Sequence, residues 1–310
     1  MAKKTPPKNS SKEKNTLLLF SGTMLVLMYF VGHLATYNIK EKIPPKQVLA
    51  VTTEINLPEL KNPSLPPPTL SAKSAYAIDL KTKKVLFAQN EREPALPAST
   101  TKIATAIVAL SHYKPTDVLT ISKISIDGQK MNLVEGEQIT AQDLLYGLLV
   151  FSANDAAEAL AQSYPGGRVN FINAMNQLAR NLSLEKTNFT NPSGVDEYLH
   201  FSSAYDLVKL ADYGIKDPLF SQIVSTEKYK AYSTDRKIVH EMKNINELLG
   251  EMPGVLGVKT GWTENSGEDL VTLYEKNGNK ILMSVLGSTD RFGETKEVLE
   301  WITQNYFWGN

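Results

Sequence analysis

The chain has 310 residues, 42% hydrophobic and 21% charged, with 33 basic and 33 acidic side chains that cancel. That balance can fill a large core and offers no basic footprint for nucleic acid, so nucleic-acid binding is not expected. With no cysteine, disulfides, thiolate catalysis and Cys-ligated zinc or iron–sulfur centres are excluded.

The neutrality is uneven along the chain. Residues 1–14 hold Lys3, Lys4, Lys8, Lys12 and Lys14 against Glu13 alone, a local +4 that leaves −4 for the remainder. Next comes TLLLFSGTMLVLMYFVGHLATY, residues 16–37, without an acidic residue, Lys or Arg. At about 1.5 Å per residue this run makes a helix of about 33 Å, against about 30 Å of hydrocarbon in a bilayer. A secretory signal has a shorter apolar stretch and a small-residue cleavage site, whereas here the run passes into TYNIKEK. The expectation is an uncleaved single-pass anchor over 16–38, with a basic tail, 1–15, in the cytoplasm and the rest of the chain outside, extracellular or periplasmic. His33 is expected at the outer interface. Residues 44–70 carry seven of the sixteen prolines, which no helix or central strand tolerates, so 39–70 reads as a stiff linker. One domain, 71–310, remains.

Within it, SAYAIDL and KKVLFAQ, joined through Lys81 and Thr82, read as a hairpin. In TKIATAIVALSHY the apolar residues Ile103, Ala106, Ile107 and Leu110 recur at helical spacing. Thr140 with Asp143 forms a capping signature before an apolar helix in ITAQDLLYGLLV. Helices follow in DAAEALAQSY, ended by Pro165-Gly166-Gly167, in VNFINAMNQLARNL, and in AYDLVKLADY capped by Ser203. DLVTLYEK, the turn Asn277-Gly278 and KILMSVLGS read as a second hairpin. Its second strand is apolar on both faces and therefore central. GETKEVLEWITQNYF closes the chain as a helix. Strands at both ends with helices between them give an α/β (α+β) fold: an antiparallel sheet formed from distant N- and C-terminal parts of the domain, packed with helices, plus an all-helical subregion.

Three short patterns could carry chemistry. Ser99 and Lys102 in PASTTK lie one helical turn apart, where a lysine made less basic by burial could take the serine proton beside a helix N-terminus. Alone, the pair is a weak signal and reads more readily as a helix cap and a surface lysine. Ser152-Ala153-Asn154 follows an apolar helix, so its polar groups sit at the edge of a core; alone it is also a helix junction. Lys259-Thr260-Gly261, followed by Trp262, places a cation and a hydroxyl on a strand edge suited to a carboxylate, with Gly261 admitting a ligand backbone. The histidines at 33, 112, 200 and 240 show no metal-ligand spacing. His200 reads as a packing or capping residue and His112 as a C-terminal cap.

In this order, SxxK, SxN and KTG resemble the signature set of the penicillin-recognising serine enzymes. More closely, the chain resembles the low-molecular-mass D-alanyl-D-alanine carboxypeptidases of peptidase family S11. Its segments MNLVEGEQITAQDLLYGLLVFSANDAAEALA, NPSGVDEYLHFSSAYDL and PGVLGVKTGWTENSGEDLVTL are similar to that family's, and the likeness extends from 71 to about 307. The resemblance implies the DD-peptidase/β-lactamase fold, a peptidoglycan pentapeptide ending in D-Ala-D-Ala as substrate, β-lactam antibiotics as covalent inhibitors, and no metal or cofactor. It implies Ser99 as acylated nucleophile, Lys102 as general base and Ser152 as proton relay kept poised by Lys259. Asn154 would hold the substrate backbone and Lys102, and Lys259, Thr260 and Gly261 would line the carboxylate site. The backbone N–H groups of Ser99 and Trp262 would form the oxyanion hole. Ala153 and Trp262 depart from the residues more usual at those places. Many relatives also append a C-terminal β domain and an amphipathic helix that this sequence does not show, so attachment is expected through the N-terminal helix alone.

Rival readings are a class A β-lactamase, for which 155–258 offers no Glu-x-x-Leu-Asn type segment, and a D,D-endopeptidase, which would use the same residues. An inactive peptidoglycan-binding protein would have lost the nucleophile or the base, and both are present.

Overall fold

The computed structural model describes residue 2, residues 23–34 and residues 57–309. The chain divides into two compact units, 1–54 and 55–310. In the first, the described part is a helix over 23–34 (α1) with exposed side chains. Twelve residues make about 18 Å of helix, well short of a bilayer's hydrocarbon. Among the described residues no helix is long and apolar enough to cross a membrane. The expectation of a single-pass anchor over 16–38, with membrane attachment and a cytoplasmic N-terminus, is therefore corrected. Its flanks at 16–22 and 35–38, the tail at 3–15 and residues 39–56 lie outside the described residues.

The linker reading is altered at its far end. Glu59–Leu60 (β1) pairs antiparallel with Tyr306–Phe307 (β11), the Lys61 N–H donates to the Asn305 carbonyl at 2.6 Å, and Leu70 is buried. Proline-rich chain is compatible with this because a two-residue edge pairing asks for few N–H groups.

The second unit is built on a five-stranded antiparallel sheet in the order β3-β2-β10-β9-β8. Its strands are Ser74–Asp79 (β2), Val85–Gln89 (β3), Val255–Thr263 (β8), Gly267–Lys276 (β9) and Asn279–Ser288 (β10). The strand apolar on both faces, β10, lies in the middle, and the two expected hairpins are β2–β3 and β9–β10. Alternation along β10 sends Leu282 and Leu286 to one core and Ile281, Met283 and Val285 to another. The second core is closed by the last helix, Arg291–Asn305 (α8), through Val298, Leu299 and Ile302.

The first and larger core is the helical cluster. It comprises Lys102–His112 (α2), Ala141–Leu149 (α3), Asn154–Gln162 (α4), Gly167–Asn181 (α5), Ala204–Gly214 (α6) and Pro218–Val224 (α7). Both expected caps form: the side chains of Thr140 and Ser203 accept from the N–H groups of Asp143 and Asp206, contacts typically worth about 1 kcal/mol each. Two small hairpins complete the unit, Val118–Thr120 with Gln138–Thr140 (β4, β5) and Lys228–Tyr232 with Val239–Lys243 (β6, β7). The KTG strand β8 is an edge, and the turn that opens α2 packs beside it.

Candidate active site

Ser99 lies in a 3₁₀ turn, Ala98–Thr101, that feeds directly into α2. Ala98 just before it takes a left-handed φ of 42°, an uncommon conformation for a residue with a Cβ, here fixed from two sides. On one side, Gly194 (φ +85°) approaches so closely that a Cβ there would fall on the Ala98 carbonyl. On the other, a Cβ at Gly261 would meet the Pro97 carbonyl oxygen at 3.1 Å and the Ala98 Cβ at 3.2 Å. The sequence suggested that Gly261 makes room for a ligand; its lack of a side chain lets β8 lie against the nucleophile's turn. From 97 to 109 every residue is buried except Ser99.

Lys102, one turn on, is fully buried. Its Nζ lies 2.7 Å from Ser99 Oγ, 2.7 Å from Asn154 Oδ1 and 2.6 Å from the Ser193 carbonyl oxygen. Burial brings its pKa down to about 7, with the Asp155 carboxylate pulling the other way. Asn154 opens α4 and is held by the segment in front of it: its Nδ2 donates to the Asp127 carbonyl at 2.7 Å and its N–H to the Gln129 carbonyl at 2.7 Å. That segment is in turn fixed by Asp155, whose carboxylate accepts from the N–H groups of Met131 and Leu133.

Ser152 links α3 to α4 with a left-handed φ of 60° and is 2% exposed. Its Oγ accepts from Lys259 Nζ at 2.9 Å, and the same Nζ donates to the Thr260 carbonyl at 2.9 Å. Lys259 is buried, and desolvation first, then the charges of Lys102 and Arg291, hold its pKa well below the ordinary lysine value. The three motifs therefore meet. Ser99, Ser152, Asn154, Thr260, Gly261 and Trp262 line one cleft of about 610 Å³, a size suited to a peptide end. Trp262 stands at its mouth, 62% exposed.

Sequence reasoning missed two contributors. Ser193 supplies the carbonyl that holds Lys102, shaped by Asn191 Oδ1, which accepts from the N–H groups of Ser193 and Gly194. The family-like NPSG segment was the available signal. Arg291, on the cleft wall, donates from Nη1 to the Gly261 carbonyl at 2.8 Å; nothing in the residues around it marked it. His200 packs behind the site, with Nε2 2.8 Å from Thr101 Oγ1 and Nδ1 accepting from the Thr190 N–H at 3.0 Å. Burial, the largest influence on it, carries its pKa down to about 4, so it is a neutral packing residue.

The model of the D-alanyl-D-alanine carboxypeptidase family, peptidase S11, matches residues 61–290. The chain belongs to this family. It is 32% identical over 246 residues to the D-alanyl-D-alanine carboxypeptidase DacF of Bacillus subtilis, covering 76% of this chain and 63% of that relative. The chain thus spans less than two thirds of that family member's length. It is 30% identical to a D-alanyl-D-alanine endopeptidase of Pseudomonas aeruginosa, covering 75% of this chain and 77% of that protein. Among solved members, the Streptomyces K15 DD-transpeptidase superposes with a TM-score of 0.73 at 30% identity, over 77% of this chain and all of that one.

Proposed function

We propose that this chain is a serine-type D-Ala-D-Ala carboxypeptidase. It removes the terminal D-alanine from peptidoglycan stem peptides through an acyl-enzyme on Ser99 and is acylated there by β-lactams. The observation that carries the reading is the hydrogen-bond inventory of Lys102. A neutral amine has two N–H donors and one lone pair. Asn154 Oδ1 and the Ser193 carbonyl, neither able to donate, take the two donors. The lone pair is left facing the Ser99 hydroxyl, in a site whose burial favours the neutral form.

Acylation then balances as follows. The Ser99 proton passes to Lys102 Nζ while Oγ bonds to the carbonyl carbon of the penultimate D-alanine, and the carbonyl oxygen turns its charge toward the N–H groups of Ser99 and Trp262. The carbon–nitrogen bond breaks, the leaving amine takes the Ser152 hydroxyl hydrogen, and the proton that Lys102 accepted replaces it, so that Ser152 is again a hydroxyl and Lys102 a neutral amine; the Ser152 oxygen accepts from Lys259. D-alanine leaves and water hydrolyses the ester. Lys259 and Thr260 meet the terminal carboxylate, whose negative charge favours the ammonium form of Lys259. A β-lactam reacts by the same attack on its strained amide.

The test uses the full chain with a labelled penicillin and, separately, a pentapeptide ending in D-Ala-D-Ala, with D-alanine release followed. Stoichiometric label and D-alanine release are expected, and Ser99→Ala should abolish both while thermal unfolding is unchanged. A folded chain that takes no label would overturn the acyl-serine reading. Label without D-alanine release would favour an endopeptidase acting on cross-links.

A further inference from the structure

We propose that Arg291 is a positioning residue for acylation: its guanidinium grips the rear of the Gly261–Trp262 peptide, whose N–H faces the reacting carbonyl. The inference rests on the proposed acyl-serine function and concerns a residue that none of the three motifs contains.

One peptide unit links Arg291 to the reacting carbonyl. In a trans peptide the C=O of one residue and the N–H of the next point in opposite directions, and no cis bond occurs among the described residues. A donor on the Gly261 oxygen therefore acts at the back of the group whose front is the Trp262 N–H. Arg291 Nη1 is that donor, at 2.8 Å. A charged donor on a carbonyl makes a stronger bond than a neutral one. It also draws electron density through the amide, so that the N–H on the other end becomes a better donor.

The arginine is anchored for this task. It is the first residue of α8, its N–H donates to Glu268 Oε2 at 3.0 Å, and the preceding residue, Asp290, caps the helix by accepting from the Gly293 N–H. α8 packs on β9 and β10, so the guanidinium reaches β8 from a helix seated on the rigid part of the sheet. The peptide it holds needs such support. β8 has a strand neighbour on one side only, Trp262 is largely exposed, and Gly261, packed against the 97–98 turn, has no side chain of its own to hold its carbonyl. Asp269, opposite Gly261 in the register, turns Oδ1 away to the Gly287 N–H at 2.8 Å, and its Oδ2 makes no hydrogen bond to the Gly261 carbonyl. The Arg291 contact is thus the side-chain restraint on the oxyanion peptide.

A positioning role differs from carboxylate binding in what it changes. The full chain, Arg291→Gln and Arg291→Lys are compared on a D-Ala-D-Ala peptide, on the same peptide with its C-terminus as a carboxamide, and for affinity toward a peptide boronic acid ending in a D-alanine analogue. The boronate forms a tetrahedral adduct and places an oxygen in the oxyanion hole. For Arg291→Gln the expected result is a loss of about 10- to 50-fold in kcat, less than the about 10²- to 10³-fold that follows outright removal of an oxyanion donor. KM should stay within about twofold, the fold-loss should be equal on the carboxylate and carboxamide peptides, and boronate affinity should weaken in parallel. Arg291→Lys, which keeps a charged donor, should recover part of the loss.

A loss confined to KM that disappears on the carboxamide would assign Arg291 to the substrate carboxylate and overturn the proposal, as would unchanged kcat and boronate affinity in a folded Arg291→Gln chain. Should the unsubstituted chain release no D-alanine, the proposed function fails, and the boronate comparison still decides the role of Arg291.

Discussion

Two lysines with enclosed side chains stand behind the same cleft, each bonded to a serine that lines it, and are held in opposite ways. Lys102 is a helical residue whose Nζ touches three separate segments: its own turn, the start of α4 and the 191–194 loop. Lys259 is a residue of an edge strand, and its Nζ meets Ser152 and the neighbouring Thr260, with Thr260 Oγ1 as far as 3.5 Å. The first amine has its donors committed and only its lone pair to offer, which suits a base. The second lies near the charge of Arg291 and gains most from an arriving anion, which suits a receptor for a carboxylate. Burial lowers the basicity of both, and the pattern of acceptors around each decides what that lowering is for.

Replacing each lysine tests this contrast. Lys102→Met keeps the bulk and removes the lone pair; acylation by penicillin and D-alanine release should both fall by about 10³- to 10⁴-fold, near the upper range for loss of a general base. Equal loss in Lys259→Met on every substrate would erase the distinction between the two sites. Lys259→Gln should instead cost about 10²-fold, in the range for a charged hydrogen bond to a buried partner. That cost should appear mainly as raised KM on the D-Ala-D-Ala peptide and shrink on its carboxamide. The smallest effect expected is on pH dependence. The Lys102 base form grows as pH rises, so the acylation rate should climb through about pH 7 and level above it. Asp155 raises the basicity of Lys102, so Asp155→Asn should move this climb toward lower pH while leaving the plateau within a few-fold. Movement toward higher pH would mean that the carboxylate acts through the 127–133 segment it holds rather than through its charge.

Much of the domain was legible because local and tertiary signals agree. The apolar stripe of α2, the caps at Thr140 and Ser203, the Asn277-Gly278 turn and the two-sided apolarity of β10 each force one structure, and the sheet from distant chain segments follows from them. The motifs located Ser99, Lys102, Ser152, Asn154 and Lys259, and the folded chain gathers them. What escaped has physical reasons. In the β6–β7 hairpin only Ala231, His240 and Met242 are buried, one of them a histidine, while Tyr232 and Val239 are exposed, so no apolar period emerges. Arg291 precedes the helical pattern read from Gly293 and acts through a backbone carbonyl 30 residues away in sequence, a relation no spacing encodes. The spanning helix fails differently: hydropathy scores side chains alone, and the helix among the described residues covers 23–34.

The short ladder of β1 with β11 joins the segment that enters the domain to the one that ends it. Near it lie Lys61, Phe307 and the Asn277 turn, at the opposite end of β9 from the Gly267 turn beside Thr263. In mechanical terms the ladder is a clasp. Tension applied at residue 57 is borne first by the bonds of Glu59, Leu60 and Lys61 to 305–307, which can open one after another while the strands carrying Lys259 and Trp262 stay unloaded. A fragment trimmed to begin at residue 71 would discard the clasp and uncover Tyr306 and Phe307, leaving the C-terminal end of α8 as the first part to fray.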